Sequence, residues 1–332
     1  MKLYRSLNAI PGPSRGCVVA LGSFDGFHRG HQSVIGAAAK LTLAMNTTLG
    51  VMTTEPHPRR FFRPDDPPFM ITPLRTKVRL LQNFGVDSVF ILNFDQSIAQ
   101  LPAQDFVKQI LVDGLGAIHV VFGYDYRFGK GRGGGANVLK YMGDEEGFGT
   151  TQLSPVSVGV EGSAGEIYSS TLVRDALKNG EARRAAALLG HWWSVENHVL
   201  KGDQRGRVIG FPTANLDISD YVQPRFGVYA VRVRRMQDGK VLNAVANVGK
   251  RPTFEKQDVT LEAHLFDFDE DIYGELLNVE FVSFIRPEKK FSGIDTLKAQ
   301  IAEDCETAKL VLANPDNAAD RFPTPHRSQF ET

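Results

Sequence analysis

The sequence predicts an α/β domain with a parallel sheet, followed by a second domain built as a β-barrel. Three observations predict it. The 332 residues are enough for two domains of ordinary size. The first half alternates short apolar runs with helical stretches. Beyond Trp193 the pattern changes to consecutive strands with few helices.

The elements follow in order. Cys17 to Leu21 is an apolar run that reads as a buried strand, and the Ala-rich stretch Gln32 to Met45 reads as a helix. Thr48 to Met52 is strand-like, and Thr72-Pro73 is an N-cap and N1 pair opening a helix through Phe84. Ser88 to Leu92 and Ala117 to Phe122 are strands, with helices at Pro102 to Leu111 and Asn137 to Met142. Strands alternating with helices imply right-handed crossovers and ligand binding at the carboxyl ends of the strands. The turns Gly22 to His31, Thr54 to Pro58 and Gly123 to Gly129 all follow strands, so they are expected to converge on one edge. Ser170 to Asn179 and Glu181 to Leu189 read as helices separated by Gly180. Val228 to Met236 and Val241 to Val248 flank Asp238-Gly239, a hairpin signal, and Leu261 to Phe268 and Leu276 to Ile285 add strands. Ile294 to Ala313 is an amphipathic helix. The boundary falls near Gly190, giving domains 1–188 and 189–314, with the polar stretch 315–332 expected as a flexible tail.

Composition narrows the function. Hydrophobic residues at 42% and charged residues at 23% are those of a soluble globular protein. Lys+Arg 38 balances Asp+Glu 38, so no general basic field favours nucleic acid or a membrane surface. Cys17 and Cys305 give no disulfide framework, and Cys17 reads as a small core residue. With no apolar run resembling a signal peptide or a membrane span, the cytoplasm is the expected location. Val231 to Arg235 is the nearest approach to a nucleic-acid stripe; as an alternating strand, it is read as placing Arg232 and Arg234 on a solvated face.

The candidate chemistry sits in a few motifs. His28 and His31 lie at a strand-to-helix turn among glycines, where free N–H groups already favour phosphate. Their spacing also suits a metal pair, but zinc needs a third ligand; His57 is the geometric candidate, with no cysteine or carboxylate motif in support. Ser169, Ser170 and Thr171 open a helix as natural N-caps, and Arg174 lies one turn on, the makings of a triphosphate clamp. Arg127 and Arg132 lie in a Gly-rich segment that reads as a loop able to close over a nucleotide. In the second half, Gly202 to Asn215 is rich in glycine and charge but lacks the Gly-Lys-Ser/Thr ending of a Walker loop. Thr213 and Asn215 offer hard, uncharged oxygens suited to Mg²⁺, and Asn247 to Phe254 is a second loop of this type. Glu262 lies in a strand and can accept a proton from a substrate hydroxyl if it faces the barrel mouth.

Together these residues resemble the bacterial bifunctional riboflavin kinase/FMN adenylyltransferases, also called FAD synthetases. The likeness runs from about Gly16 to Cys305. It rests on Gly22 to His31, Glu55 to Pro58, Gly123 to Gly129 and Ser169 to Arg174 in the first half. In the second it rests on Gly210 to Asn215, Gly227 to Ala230, Asn247 to Phe254, Asp271 to Gly274 and Arg286 to Phe291. The resemblance implies a Rossmann-like nucleotidyltransferase domain and a riboflavin-kinase-like barrel with a C-terminal helix. It implies that riboflavin and ATP give FMN, and that FMN and a second ATP give FAD and pyrophosphate. Glu262 then falls on the kinase base, Thr213 and Asn215 on the Mg²⁺ ligands, and Gly202, Gly210 and Pro212 on the nucleotide site. His28 and His31 would stabilise the α-phosphoryl charge, with Gly22, Phe24, Asp25, Asp125, Ser170, Thr171 and Arg174 binding nucleotide. The resemblance also implies Mg²⁺ as cofactor, with ATP as co-substrate. The expected partners are riboflavin, FMN and ATP, with a weak homo-oligomer allowed and neither nucleic acid nor membrane expected. Phe61 and Phe62 have two readings, against an isoalloxazine ring or, the favoured one, in the core. The chain departs from the family pattern at Thr54, at Gly133 to Ala136, and at Asn197, a residue that, like glycine, tolerates positive φ. Two other hypotheses compete with the bifunctional enzyme: one with a single surviving activity, and a nucleic-acid-binding protein.

Overall fold

The computed structural model describes residues 1–6, 10–159, 165–202, 206, 209–252, 257–323 and 325–330. The chain divides into two compact units. The first comprises Met1–Pro67, Lys77–Ser169 and Thr324–Thr332; the second comprises Pro68–Thr76 and Ser170–Pro323.

The first unit is a parallel sheet built of β1 (Lys2–Tyr4), β2 (Val18–Leu21), β3 (Leu49–Glu55), β4 (Ser88–Asn93), β5 (His119–Gly123) and β6 (Gly149–Leu153). The strand order is β1-β4-β3-β2-β5-β6, and every pairing is parallel. Its helices include α1 (Arg29–Met45), α2 (Pro58–Phe62), α4 (Gln96–Gln100), α5 (Ala103–Phe106) and α6 (Ala136–Glu146); α3 (Leu74–Phe84) starts on the strap 68–76. β2 is Val-Val-Ala-Leu and wholly buried, as a strand covered by helices on both faces must be. From β2 the chain builds outward through β3 and β4, then returns to place β5 on the other side of β2. That reversal is a topological switch point, and ligands bind such sheets at the carboxyl ends there. The turns after β3, β2 and β5 therefore share one edge on adjacent strands, as expected. The helix expected over Pro102 to Leu111 continues from α5 as a π-helical stretch, Val107–Gly114.

The second unit carries α7 (Ser170–Asn179) and α8 (Ala182–Leu189), then a sheet of β7 (Ser194–His198), β8 (Ala214–Asp217), β9 (Gly227–Arg235), β10 (Val241–Pro252), β11 (Gln257–Leu265) and β12 (Leu276–Arg286), and last α9 (Ile294–Ala313). The strand order is β7-β12-β9-β10-β11-β8, all antiparallel. A bridge between Leu200 and Asn215, and a hydrogen bond from Asn197 Nδ2 to Asp217 O (2.8 Å), draw the two end strands together into a nearly closed barrel. Alternation sets the two faces: Leu216, Val231, Val248, Leu261 and Ala263 fill the interior with no exposed surface. On the outer face Val228, Ala230 and Val245 meet Cys305, Ala308 and Leu312 of α9. Ala186 of α8 joins the same cluster.

Several expectations need revision. Arg232 is not solvated: it is 5% exposed, its Nε lies 3.3 Å from Glu280 and its guanidinium sits over Trp192. Arg235 is also buried, between Glu270 and Glu275. Cross-strand carboxylates and the cover of Trp192 convert a charged strand into an internal ion-pair layer, so these cations are engaged within the protein. Asn197 has no positive φ; it lies in β7 and uses its side chain instead of a turn. Phe61 and Phe62 are not in the core, since α2 buries neither. The described residues beyond 314 include short 3₁₀ turns at Pro315–Asn317, Ala319–Arg321 and Arg327–Gln329, which do not test the expectation of a flexible tail. Phe330 stacks obliquely on Phe84 (5.6 Å) above Gly36, where even a Cβ would come within 2.5 Å of the ring.

Candidate active sites

In the first unit the site begins where β2 ends. Gly22 to His28 is a tight turn in which Phe24 (φ 49°) and Phe27 (φ 47°) both adopt the left-handed region. Each such residue stores about 1–3 kcal/mol of strain, sustained only where surroundings over-determine it. Both rings are fully buried, which does so. A Cβ at Gly22 would come within 3.0 Å of the Phe24 ring, so glycine is required for that ring to fold back.

His28 is the N-cap of α1, and its Nδ1 accepts from the His31 N–H (3.4 Å). With Nδ1 accepting, the proton of the neutral ring is on Nε2. The His28 and His31 rings stack at 3.6 Å and 21°. Stacked rings do not converge on one point, as the ligands of a tetrahedral zinc must. Among the described residues no cluster of three or more His, Cys, Asp or Glu could hold a metal. Gly30 lets the His28 ring lie against the helix, since a Cβ there would be 3.1 Å from it.

Asp25 is buried beneath this turn. Facing it is Lys77 of α3, a residue the sequence reading missed. Lys77 is fully buried, and its Nζ lies 3.5 Å from Thr53 Oγ1, which donates to Ser23 O (3.1 Å). Desolvation lowers the Lys77 pKa, opposed by the charges of Asp25 and Glu55. Burial holds the Cys17 thiol up at about 12, which makes it an inert core residue, as expected.

After β3, His57 caps α2 by accepting from Arg59 N (3.1 Å). Phe61, Phe62 and Phe94 form an edge-on cluster with centroids 5.2–5.8 Å apart, and Phe62 is 62% exposed. After β5, Asp125 is exposed and its Oδ1 would lie 3.4 Å from a Cβ at Gly123. The Gly-rich segment is folded: Lys130–Arg132 is a 3₁₀ turn and Phe128 bridges Gly134.

In the second unit Ser170 and Thr171 open α7, and Arg174 Nε donates to Phe69 O (2.7 Å) with its guanidinium over the Phe69 ring. The barrel site rests on strand register. Glu262 on β11 is directly opposite Asn215 on β8, and on its other side opposite Asn247 on β10. Antiparallel partners point to one face, so a carboxylate sits between two amides in a row across three strands. All three are half-buried, and they alternate with the interior set, so Glu262 lies on the outer face of the sheet. Before β8, the loop Gly210 to Thr213 brings Pro212 O within 2.8 Å of His264 Nδ1, and Asn215 Nδ2 lies 3.3 Å from Thr213 O. Gly202 passes so close to Asn215 that a Cβ would reach its amide at 2.6 Å. Residues 203–205, 207–208 and 253–256, part of both loops singled out from the sequence, lie outside the described residues.

Two candidate sites result: a histidine turn at a parallel-sheet switch point, and a carboxylate–amide row on an antiparallel barrel. A family model described as FAD synthetase matches residues 11–169, and one described as riboflavin kinase matches residues 189–312. The bifunctional riboflavin kinase/FMN adenylyltransferase of Escherichia coli strain K12 is 41% identical over 310 residues, covering 93% of this chain and 97% of that one. The Bacillus subtilis enzyme of the same description is 38% identical over 304 residues, covering 90% and 93%. A solved structure described as a macrolide-efflux protein from Streptococcus pneumoniae superposes with TM-score 0.80 at 32% identity, covering 92% of this chain and 98% of that one. Among the described residues here, no helix is long and apolar enough to cross a membrane. The chain belongs to the bifunctional riboflavin kinase/FMN adenylyltransferase family.

Proposed function

We propose how the residues of this chain divide the work of flavin cofactor synthesis. The enzyme phosphorylates riboflavin with ATP to give FMN and ADP, and adenylylates FMN with a second ATP to give FAD and pyrophosphate. In the kinase step Glu262 takes the proton of the ribityl 5′-hydroxyl as that oxygen attacks the γ-phosphorus and ADP leaves. The observation that carries this is the register that seats the Glu262 carboxylate between Asn215 and Asn247. The two amides orient the carboxylate and can hold the neighbouring ribityl and phosphate oxygens.

Thr213 and Asn215, beside Glu262, present oxygen donors of the kind Mg²⁺ takes, in a number that leaves room for phosphates and water. When bound there, Mg²⁺ would neutralise charge on the phosphates. Gly202, Gly210 and Pro212 let the backbone approach the nucleotide.

In the second reaction the phosphate of FMN attacks the α-phosphorus of ATP and pyrophosphate leaves. A phosphate nucleophile is already ionised, so positioning and charge stabilisation suffice. His28 donates from Nε2 and, with His31, stabilises the α-phosphoryl charge. Gly22, Phe24, Asp25 and Asp125 shape the nucleotide pocket. Ser170, Thr171 and Arg174 serve as triphosphate ligands through a helix N-terminus and a guanidinium that Phe69 O already orients. The exposed ring of Phe62 offers a face to the isoalloxazine. The enzyme works in the cytoplasm, on riboflavin, FMN and ATP.

The test is a chromatographic time course with riboflavin, ATP and Mg²⁺. Wild type should show FMN before FAD, Glu262→Ala no FMN, and the His28→Ala/His31→Ala variant FMN without FAD. Wild type that makes FMN but never FAD would remove the adenylyltransferase assignment.

A further inference from the structure

We propose that His264 is a positioning residue of the kinase site, holding the Gly210–Asn215 loop so that Thr213 and Asn215 reach the metal-bound nucleotide. The inference rests on the reading that Glu262, Thr213 and Asn215 form that site.

The loop needs such a support. Gly210 turns in the left-handed region (φ 91°), and Phe211 N donates back to Gly206 O (2.8 Å). Pro212 has no N–H with which to join a ladder, so its one backbone hydrogen-bonding group is the carbonyl. That carbonyl lies 2.8 Å from His264 Nδ1. A carbonyl can only accept, so Nδ1 carries a proton and donates. The imidazole plane is set from two sides, edge-on to Phe211 (5.4 Å) and to Phe266 (6.1 Å). Beyond Thr213 the chain enters β8, where Asn215 pairs with Glu262 and its carbonyl accepts from Leu200 N (2.8 Å). Thr213 is thus held between an imidazole clamp on one side and a strand ladder on the other.

His264 follows Glu262 by two positions on β11, and alternation puts both on one face. One strand therefore carries the base and the clamp on the metal-binding loop. Their separation is set by strand geometry, not by loop conformation. The clamp asks for a donor at the Nδ1 position. Asparagine can place its Nδ2 there, whereas glutamine reaches instead toward the Nε2 position.

The experiment compares wild type, His264→Ala, His264→Asn, His264→Gln and Glu262→Ala. Mg²⁺–ADP affinity is read by titration calorimetry, and amide hydrogen exchange is read on a peptide covering 209–215. A thermal melt of each variant reports whether it is folded. With a hydrogen bond of ordinary net strength lost, His264→Ala should bind Mg²⁺–ADP about 3- to 10-fold more weakly and exchange faster in 209–215. KM for Mg²⁺–ATP should rise more than kcat falls. His264→Asn should restore both affinity and protection; His264→Gln should not. Wild-type affinity in His264→Ala, or equal rescue by His264→Gln, overturns the proposal. If Glu262→Ala keeps making FMN while His264→Ala loses Mg²⁺–ADP affinity, the base assignment fails and the clamp stands. The reverse pair of results removes the clamp and leaves the base.

Discussion

The first unit gathers its candidate residues from turns that follow neighbouring parallel strands, whereas the second gathers them from side chains facing one another across antiparallel strands. In a parallel sheet all the strands point the same way, so each carboxyl end delivers its loop to one edge. A short stretch such as Gly22 to His31 then carries most of its own geometry: strand, strained turn, cap and helix. In the barrel, Asn215, Asn247 and Glu262 belong to three strands, and none has meaning without the other two. A slip of one residue between β11 and β10 would turn Glu262 into the interior now filled by Leu261 and Ala263. The first site is specified locally and the second by register.

The largest expected effect tests the register-built site. Glu262→Gln keeps the size and the hydrogen bonds of the side chain but removes the base. FMN formation should fall by about 10²- to 10⁴-fold, the usual worth of a general base. Adenylylation of supplied FMN should stay within about twofold, since Glu262 has no part in that reaction. A kinase rate that hardly changes would mean that the row of Asn247, Glu262 and Asn215 serves the barrel's fold rather than its chemistry. The mirror-image experiment is His28→Ala/His31→Ala, expected to lower FAD formation from FMN by about 10²- to 10³-fold, the scale of losing aimed charge-stabilising donors. FMN formation should be untouched. A drop in both activities would break the separation of the two sites.

Lys77 sharpens the contrast from the side of stability. It lies beneath the locally specified turn yet is itself a long-range feature, buried near Asp25 and Glu55. Lys77→Met removes a buried positive charge that Asp25 and Glu55 favour and its hydrogen bond to Thr53, and should cost about 1–3 kcal/mol, the scale of losing a buried polar partner. The pH dependence has a definite sign. The folded-state pKa is lowered from 10.5, so the folded protein gives up this proton before the unfolded chain does. Between the lowered value and 10.5 the unfolded state binds more protons, and stability from this group rises with pH. Thermal melts of wild type and Lys77→Met across that range should therefore converge on one slope only if Lys77 does not titrate there; the expected result is a steeper rise in wild type.

What the sequence disclosed follows the same division. Apolar runs, an Asp-Gly hairpin and the helix Ile294–Ala313 were legible because each is fixed by neighbours in the chain. The short strands β1, β6, β7 and β8 were not, since they are held by pairing rather than by a pattern of their own. Glu262, Thr213 and Asn215 could be named from their motifs, but their shared face was invisible until β8 and β10 flanked β11. Lys77 went unremarked in the sequence, because the two carboxylates near it come from the turn after β2 and the end of β3. Arg232 was misread for the same reason: Glu280, Trp192 and Asn317 all approach it from other elements.

The smallest expected effect concerns Phe62, which separates recognition from stability within the locally specified unit. Its ring touches Phe61 and Phe94 only edge-on and leaves most of its surface to solvent. Phe62→Ala should therefore leave the melting temperature nearly unchanged. If the ring offers its face to the isoalloxazine, removing it takes away an aromatic contact worth about 0.5–1.5 kcal/mol, or about 2- to 12-fold in KM for FMN. KM for ATP and the rate of riboflavin phosphorylation should not move. The exposed position makes this outcome interpretable: with little folded-state packing to lose, a change in KM reports flavin contact directly. An unchanged KM assigns the cluster of Phe61, Phe62 and Phe94 to the surface of α2 and removes it from the site.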